Sequence, residues 1–347
     1  MICKKGAITI VLTIFISVAV IPSQSAGEEA ESKKPGAATG AAGAYKDLDE
    51  LMEKAEQGSA DAQFRLAIMY NWGFGVEQDK AEAAKWFLKT AEQGHARAQF
   101  LLGFMYKNGK GVERNMEEAA KWFGKAAEQG NLRAQLLLGE MYYQGTEVNK
   151  DNETAIKYYK MAAEQGHLVS RINVGMMYFR GDGVKQDYTE AVKWLTKAAE
   201  QGNVQAQNML GLIYGAGMGV RQNYIQAATW FKKAARQGFD EAQYHLGLMY
   251  FHGEGMRQNY PEAIKWYRLA AEQGNADALF SLGSAYANGK GVEKNIRDAV
   301  YWYYKAGVAY LENGEKDLAE SALDNIVKLA SGGSLARKLK AQIEAVP

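Results

Sequence analysis

A glycine returns every 36 residues along most of this chain: Gly58, Gly94, Gly130, Gly166, Gly202, Gly238 and Gly274, nearly always after a glutamine. A second glycine recurs in phase from Gly73 to Gly289, and a tyrosine from Tyr70 to Tyr286, with no insertions. Aligned columns at one interval do not arise by chance. Such a period means an array, in which each unit buries its apolar face on its neighbours. The length of 347 residues therefore does not imply ordinary globular domains.

Each unit reads as two helices. In the second unit Ala98, Leu102, Met105 and Tyr106 form a helical stripe, which Gly109-Lys110-Gly111-Val112 breaks. Asn115 follows, in a column with Asp79, Asp151, Asp187, Asn223, Asn259 and Asn295. A short side chain of this kind accepts a hydrogen bond from an orphaned backbone N–H, so the column predicts the N-cap of a second helix. That helix carries Ala119, Trp122, Phe123 and Ala126 and ends at Gln-Gly, where glycine can take the left-handed conformation. Small residues recur in both helices (Ala62 to Ala278, Ala83 to Ala299) and permit close approach. The aromatic column Trp86, Trp122, Tyr158, Trp194, Trp230, Trp266, Trp302 supplies bulk between them.

The ends differ from the repeats. Residues 1–26 read as a signal peptide: Lys4 and Lys5, an apolar run from Ala7 to Ile21, then small residues around Ser25-Ala26. Retention of residues 7–21 as a membrane anchor is the alternative. Residues 27–44 contain no large apolar side chain and are expected to be a flexible linker. A leading helix is expected over 45–58 and repeats over 59–310. Capping helices are expected over 311–347, with stretches at Ala306–Glu312, Lys316–Ala330 and Ser334–Ala345.

The recurring string, seen whole from Ala98 to Gly130, closely resembles the Sel-one-like repeat (SLR), a relative of the tetratricopeptide repeat. The resemblance implies an all-α fold, a right-handed α-solenoid of seven 36-residue helix-turn-helix repeats with flanking helices. It also implies a concave surface lined by the first helix of each unit, and a role as a scaffold or adaptor for other proteins. Departures fall at Thr146-Glu147 and Tyr158 in the third unit, and at Ser170 and Arg171 in the fourth.

Chemistry finds little support in the residues. With 41 basic and 40 acidic residues, no basic excess favours nucleic acid. Cys3 is the sole cysteine, which rules out an intramolecular disulfide or a cysteine-ligated metal. The G-x-G-V loops lack the strand and the Lys-Ser/Thr of a phosphate cradle and read as tight turns. His95 and His167 share a column with Asn131, Asn203 and Asn275 at the start of the first helix. His245 and His252 lack metal-ligand spacing. No serine stands in S-x-x-K, so a peptidoglycan or β-lactam hydrolase or binding protein, the alternative function, lacks its motif. No catalytic residue, cofactor or metal is expected.

By the resemblance, the concave columns are the third, sixth, tenth, thirteenth and fourteenth after each Gln-Gly glycine. They nominate Phe64, Trp72, Phe100, Phe104, Tyr143, Phe179, Arg180, Tyr244, Phe251, His252 and Phe280 as partner-binding residues. Arg97, Arg133, Arg180, Asp61, Glu241 and Asp277 would lie at the margins. Two readings stay open for this second apolar stripe: packing between successive first helices, or an apolar groove rimmed by charge for a protein or peptide. The expected setting is the bacterial periplasm or the outside of the cell, in an envelope, signalling or host-contact complex.

Overall fold

A computed structural model describes residues 41–331 and 333–346, with side chains from Leu48 onward. The signal peptide expected at 1–26 and most of the expected linker lie outside these residues. Among the described residues there are seventeen helices and no strands. The first, α1 (Ala41–Glu56), begins before Tyr45, so residues 41–44 are helical rather than linker. Seven helix pairs follow. They are α2 (Ala60–Trp72) with α3 (Lys80–Glu92), α4 (Ala96–Asn108) with α5 (Met116–Glu128), and α6 (Leu132–Gln144) with α7 (Asn152–Glu164). Next come α8 (Leu168–Arg180) with α9 (Tyr188–Glu200), and α10 (Val204–Ala216) with α11 (Tyr224–Arg236). The last pairs are α12 (Asp240–His252) with α13 (Tyr260–Glu272), and α14 (Ala276–Asn288) with α15 (Ile296–Glu312). Two helices close the chain, α16 (Lys316–Leu329) and α17 (Ser334–Glu344). Within each compact unit successive helices pack on one another, and the fold is an α-solenoid.

Local chemistry sets most boundaries of the pairs. The first helix of the second pair ends where Gly109 takes φ +65° and its N–H donates to the Met105 carbonyl. The second helix starts where Asn115 Oδ1 accepts from the Glu118 N–H at 3.0 Å. All seven Asp or Asn residues of that column cap in this way. His95 and His167 also cap, their Nδ1 atoms accepting from the N–H groups of Ala98 and Ser170. The second loop glycine has a further role. A Cβ on Gly111 would lie 2.0 Å from the Lys80 carbonyl oxygen, so this loop touches the backbone that opens the preceding pair's second helix. Gly183, Gly255 and Gly291 make the same approach to Asn152, Tyr224 and Tyr260.

Packing follows the columns. Ala98, Ala119, Ala134 and Ala155 are fully buried. Trp86, Trp122, Trp194 and Trp230 are buried, each with a lysine three residues on, its Nζ 4.0–4.2 Å above the ring. Phe123 and Tyr159 lie flat against first helices, which is why Gly103 and Gly139 stand there: a Cβ would meet the rings at 2.8 and 2.7 Å. A ladder of glutamines ties the pairs together. Gln99 Nε2 donates to the Ala91 carbonyl at 3.0 Å, and its Oε1 accepts from Gln129 at 2.7 Å. Gln63, Gln135, Gln207 and Gln243 repeat both bonds. In the fourth pair Arg171 takes this place, and its Nε donates to Ala163 at 3.1 Å.

The chain forms two compact units, one ending at Ala191 and one beginning at Val192. In the first, α1 places Ala55, Leu48, Leu51 and Met52 on the core of the opening pair. In the second, α16 and α17 bring Ile326, Leu339 and Ile343 onto Tyr303, Ala306 and Tyr310. The stretch Ala306–Glu312, expected as a separate closing helix, is instead the end of α15. Tyr310 stands where the 36-residue period would place glycine. Without that stop, α15 runs 17 residues instead of 13 and stops at Glu312, just before Gly314, φ +78°.

Candidate docking surface

The variable columns sit on the first helix of each pair, and the repeat fixes how they meet. A sixth-column residue faces the third-column residue 33 positions later, in the next pair. Phe64 shows this in the first unit: the Arg97 guanidinium lies 5.6 Å over its ring, and His95 stacks on it at 4.5 Å. In the second unit the same register sets Asn208 against Glu241, with Nδ2 3.5 Å from Oε2. It also sets Tyr244 near Asp277; burial, and then the charge of Asp277, raise the pKa of that phenol.

In the first unit Trp72 and Phe104 come together. With Phe87, Lys80 and Lys110 they line a pocket of about 260 Å³. Phe100 is 3% exposed and packs on Phe123 at 5.6 Å. Phe179 is 8% exposed and packs on Tyr188 at 5.1 Å. Nominated as contact residues, these two rings are part of the core instead. Side chains of the second helix of the same pair cover them, rather than the next first helix. Tyr143 is half-buried under Lys150, and burial raises its phenol pKa while Arg180 opposes the rise.

A wider open groove of about 770 Å³ follows α5, lined by Met116, Glu117, Tyr142, Glu147 and Tyr158. It lies at the third-pair departure. Gly124 replaces a column that elsewhere holds Leu88, Lys160 or Tyr304, and Glu147 replaces a loop glycine. Glu147 reaches back to Lys107 at 2.8 Å.

In the second unit Phe251 packs edge-on to Tyr260 at 4.9 Å, with Lys290 5.3 Å from its ring. His252 beside it is exposed. Phe280 packs on Tyr303 at 4.9 Å and lies 6.4 Å from Tyr310. The Tyr310 hydroxyl donates to Asp277 Oδ1 at 2.6 Å. Glu241 and Asp277, expected at the margins, are half-buried, Glu241 against Asn208 and Asp277 against Tyr310. Burial raises both carboxyl pKa values; Asp240 adds to the first, and the Tyr310 bond offsets part of the second. His245 stacks on Phe231 at 4.9 Å, and burial pushes its imidazole down to about 4. It is a half-buried, neutral residue.

The sequence missed the Asn208–Glu241 and Asp277–Tyr310 contacts. The signal was present as a 33-residue offset, visible only once the helix pairs are stacked. Among the described residues no three His, Cys, Asp or Glu side chains gather as a metal site, and no helix is long and apolar enough to cross a membrane.

Known proteins agree with this architecture. The Sel1 repeat family matches seven times, at residues 60–95, 96–131, 132–167, 169–203, 204–239, 240–275 and 276–307. The crystal structure of a Sel1 repeat protein from Oxalobacter formigenes is 33% identical. It covers 88% of this chain and 82% of its own, with a TM-score of 0.52. That of c5321, a protective antigen of uropathogenic Escherichia coli with an SLR fold, is 35% identical. It covers 84% and 73%, with a TM-score of 0.49. No curated protein matches significantly. Sel1 repeat proteins are generally non-catalytic scaffolds for protein interactions. With seven matched units over most of its length, the chain belongs to the Sel1 repeat family.

Proposed function

We propose that this protein is an exported, non-enzymatic scaffold that docks a protein or peptide on its first helices, within an envelope, signalling or host-contact complex. One observation carries the reading. The frame columns are filled nearly alike from repeat to repeat, whereas the varying positions of the first helices hold many half-buried aromatic and charged side chains. A surface that varies on an unvarying frame suits recognition. The lysine and leader pattern of residues 1–26 supports export, and the family's general role supports scaffolding.

The test is recovery of partners from envelope extracts by wild type and by a variant with Phe64, Phe104 and Phe251 changed to Ser. Phe100 is left alone because its ring belongs to the core. Loss of specific partners by a variant with unchanged circular dichroism supports the docking surface; unchanged recovery defeats it. The mass of the mature chain tests export: an N-terminus near Ala26 means cleavage, and an intact one means an anchored scaffold.

A further inference from the structure

Within the second unit the geometry points to a site for a basic peptide segment, with an arginine or lysine of the partner seated between Asn208, Glu241, Tyr244 and Asp277. This deepens the docking reading and rests on it. Three observations converge. First, the buried polar atom left over there is an acceptor. Asn208 is 5% exposed, yet its Oδ1 has no hydrogen-bond partner, and its Nδ2 reaches Glu241 only at 3.5 Å. A buried unpaired amide oxygen is costly unless something outside the fold completes it. Second, neither carboxylate has a cation among the described residues. The contacts of Glu241 are the Asn208 amide and the repulsive Asp240, and Asp277 receives only the Tyr310 hydroxyl. Half-buried carboxylates normally acquire a counter-charge. Third, the floor beside Asp277 is aromatic: Tyr244 and Tyr310 lie next to this carboxylate, and Phe280 next to Tyr310. A guanidinium suits all three features, because its planar donors match carboxylate and amide oxygens while its face stacks on rings.

The register adds a spacing. Glu241 and Asp277 occupy one column, one repeat apart, so two basic residues of one segment can each meet a carboxylate. An isolated metal ion is the poorer occupant, since too few oxygens converge on one point.

The test uses a fluorescein-labelled Gly/Ala peptide carrying two arginines, and its citrulline analogue, which keeps the shape and loses the charge. Anisotropy titrations of the full chain should show the arginine peptide binding about tenfold or more tighter. The Glu241→Gln/Asp277→Asn double variant should bind both peptides alike and melt at a higher temperature than wild type. A merely structural role for the pair would lower the melting temperature. Glu200→Gln/Glu272→Gln, at the exposed ends of α9 and α13, controls for general surface charge and should keep the arginine preference. Equal affinity for the two peptides, or loss of the preference in that control, overturns the inference. Absence of saturable arginine-peptide binding also overturns it, and leaves the wider docking reading to the aromatic variant above.

Discussion

The two units use one register to opposite electrostatic ends. In the first, the third-column Arg97 lies over the ring of Phe64. In the second, the third column holds Glu241 and Asp277, against Asn208 and Tyr244. A cation over an aromatic face is attracted by the ring quadrupole, worth about 0.5–1 kcal/mol at an exposed site. A half-buried carboxylate beside rings has no such return. The comparison separates two layers of the sequence. Alanines, glycines, caps and glutamines fix where side chains meet; the sign of the charge at that meeting is free to serve a partner.

The largest effects should fall on the shared frame and be equal in both units. Gly111→Ala and Gly255→Ala each drive a Cβ into a backbone carbonyl, at 2.0 and 2.3 Å, from φ near +70°. Overpacking and left-handed strain together should cost about 3–5 kcal/mol. Gly130→Ala meets open space and bears only its φ of +86°, so about 1–2 kcal/mol is expected. Urea denaturation measures all three. If one unit tolerated its alanine while the other unfolded, the units would not share a frame.

Next come the glutamines. Gln99→Leu and Gln243→Leu each orphan a buried carbonyl and a neighbouring glutamine, a loss of about 2–3 kcal/mol each by the same measurement. These bonds also mark the limit of what the sequence revealed. Helices, caps and turns were legible because each is decided within a few residues, as Asn115 and Gly109 show. The glutamine ladder was not, since Gln99 bonds 8 residues back and 30 residues on. The loop glycine read as a turn former also has a contact role, for Gly111 touches a helix start 31 residues earlier. Among the candidate contact residues, Phe100 and Phe179 are buried because a repeat column taken from the resemblance gives a side chain's direction, not the depth of what lies over it. The α15 extension was readable in principle, from Tyr310 in the glycine column.

His245 sharpens the comparison from inside the second unit, because the same column holds Leu101 and Leu137 in the first. Burial holds the imidazole neutral, with its pKa down at about 4 from the 6.5 of a solvated histidine. The stability it contributes is fully present above pH 6.5 and is lost as pH falls toward 4. His245→Leu should therefore gain on wild type through that window, by at most about 1.4 kcal/mol per pH unit. His167 titrates in both proteins and cancels in the difference. Parallel melting curves at each pH would show that His245 is solvated after all.

The smallest effects test the contrast directly. Arg97→Gln removes a cation from a ring and should cost about 0.5 kcal/mol. Glu241→Gln removes an uncompensated charge and should gain about as much at pH 7. The pH dependence gives the sign. Burial raises this carboxyl, so its protonated form is favoured in the fold, and that contribution disappears as pH rises through the folded pKa. The gap between Glu241→Gln and wild type must then be widest near neutrality and close toward pH 4, while the Arg97→Gln gap stays flat. If Glu241→Gln lost stability at pH 7, the carboxylate would be anchoring the fold, and the second unit's charges would belong to the frame rather than to a partner.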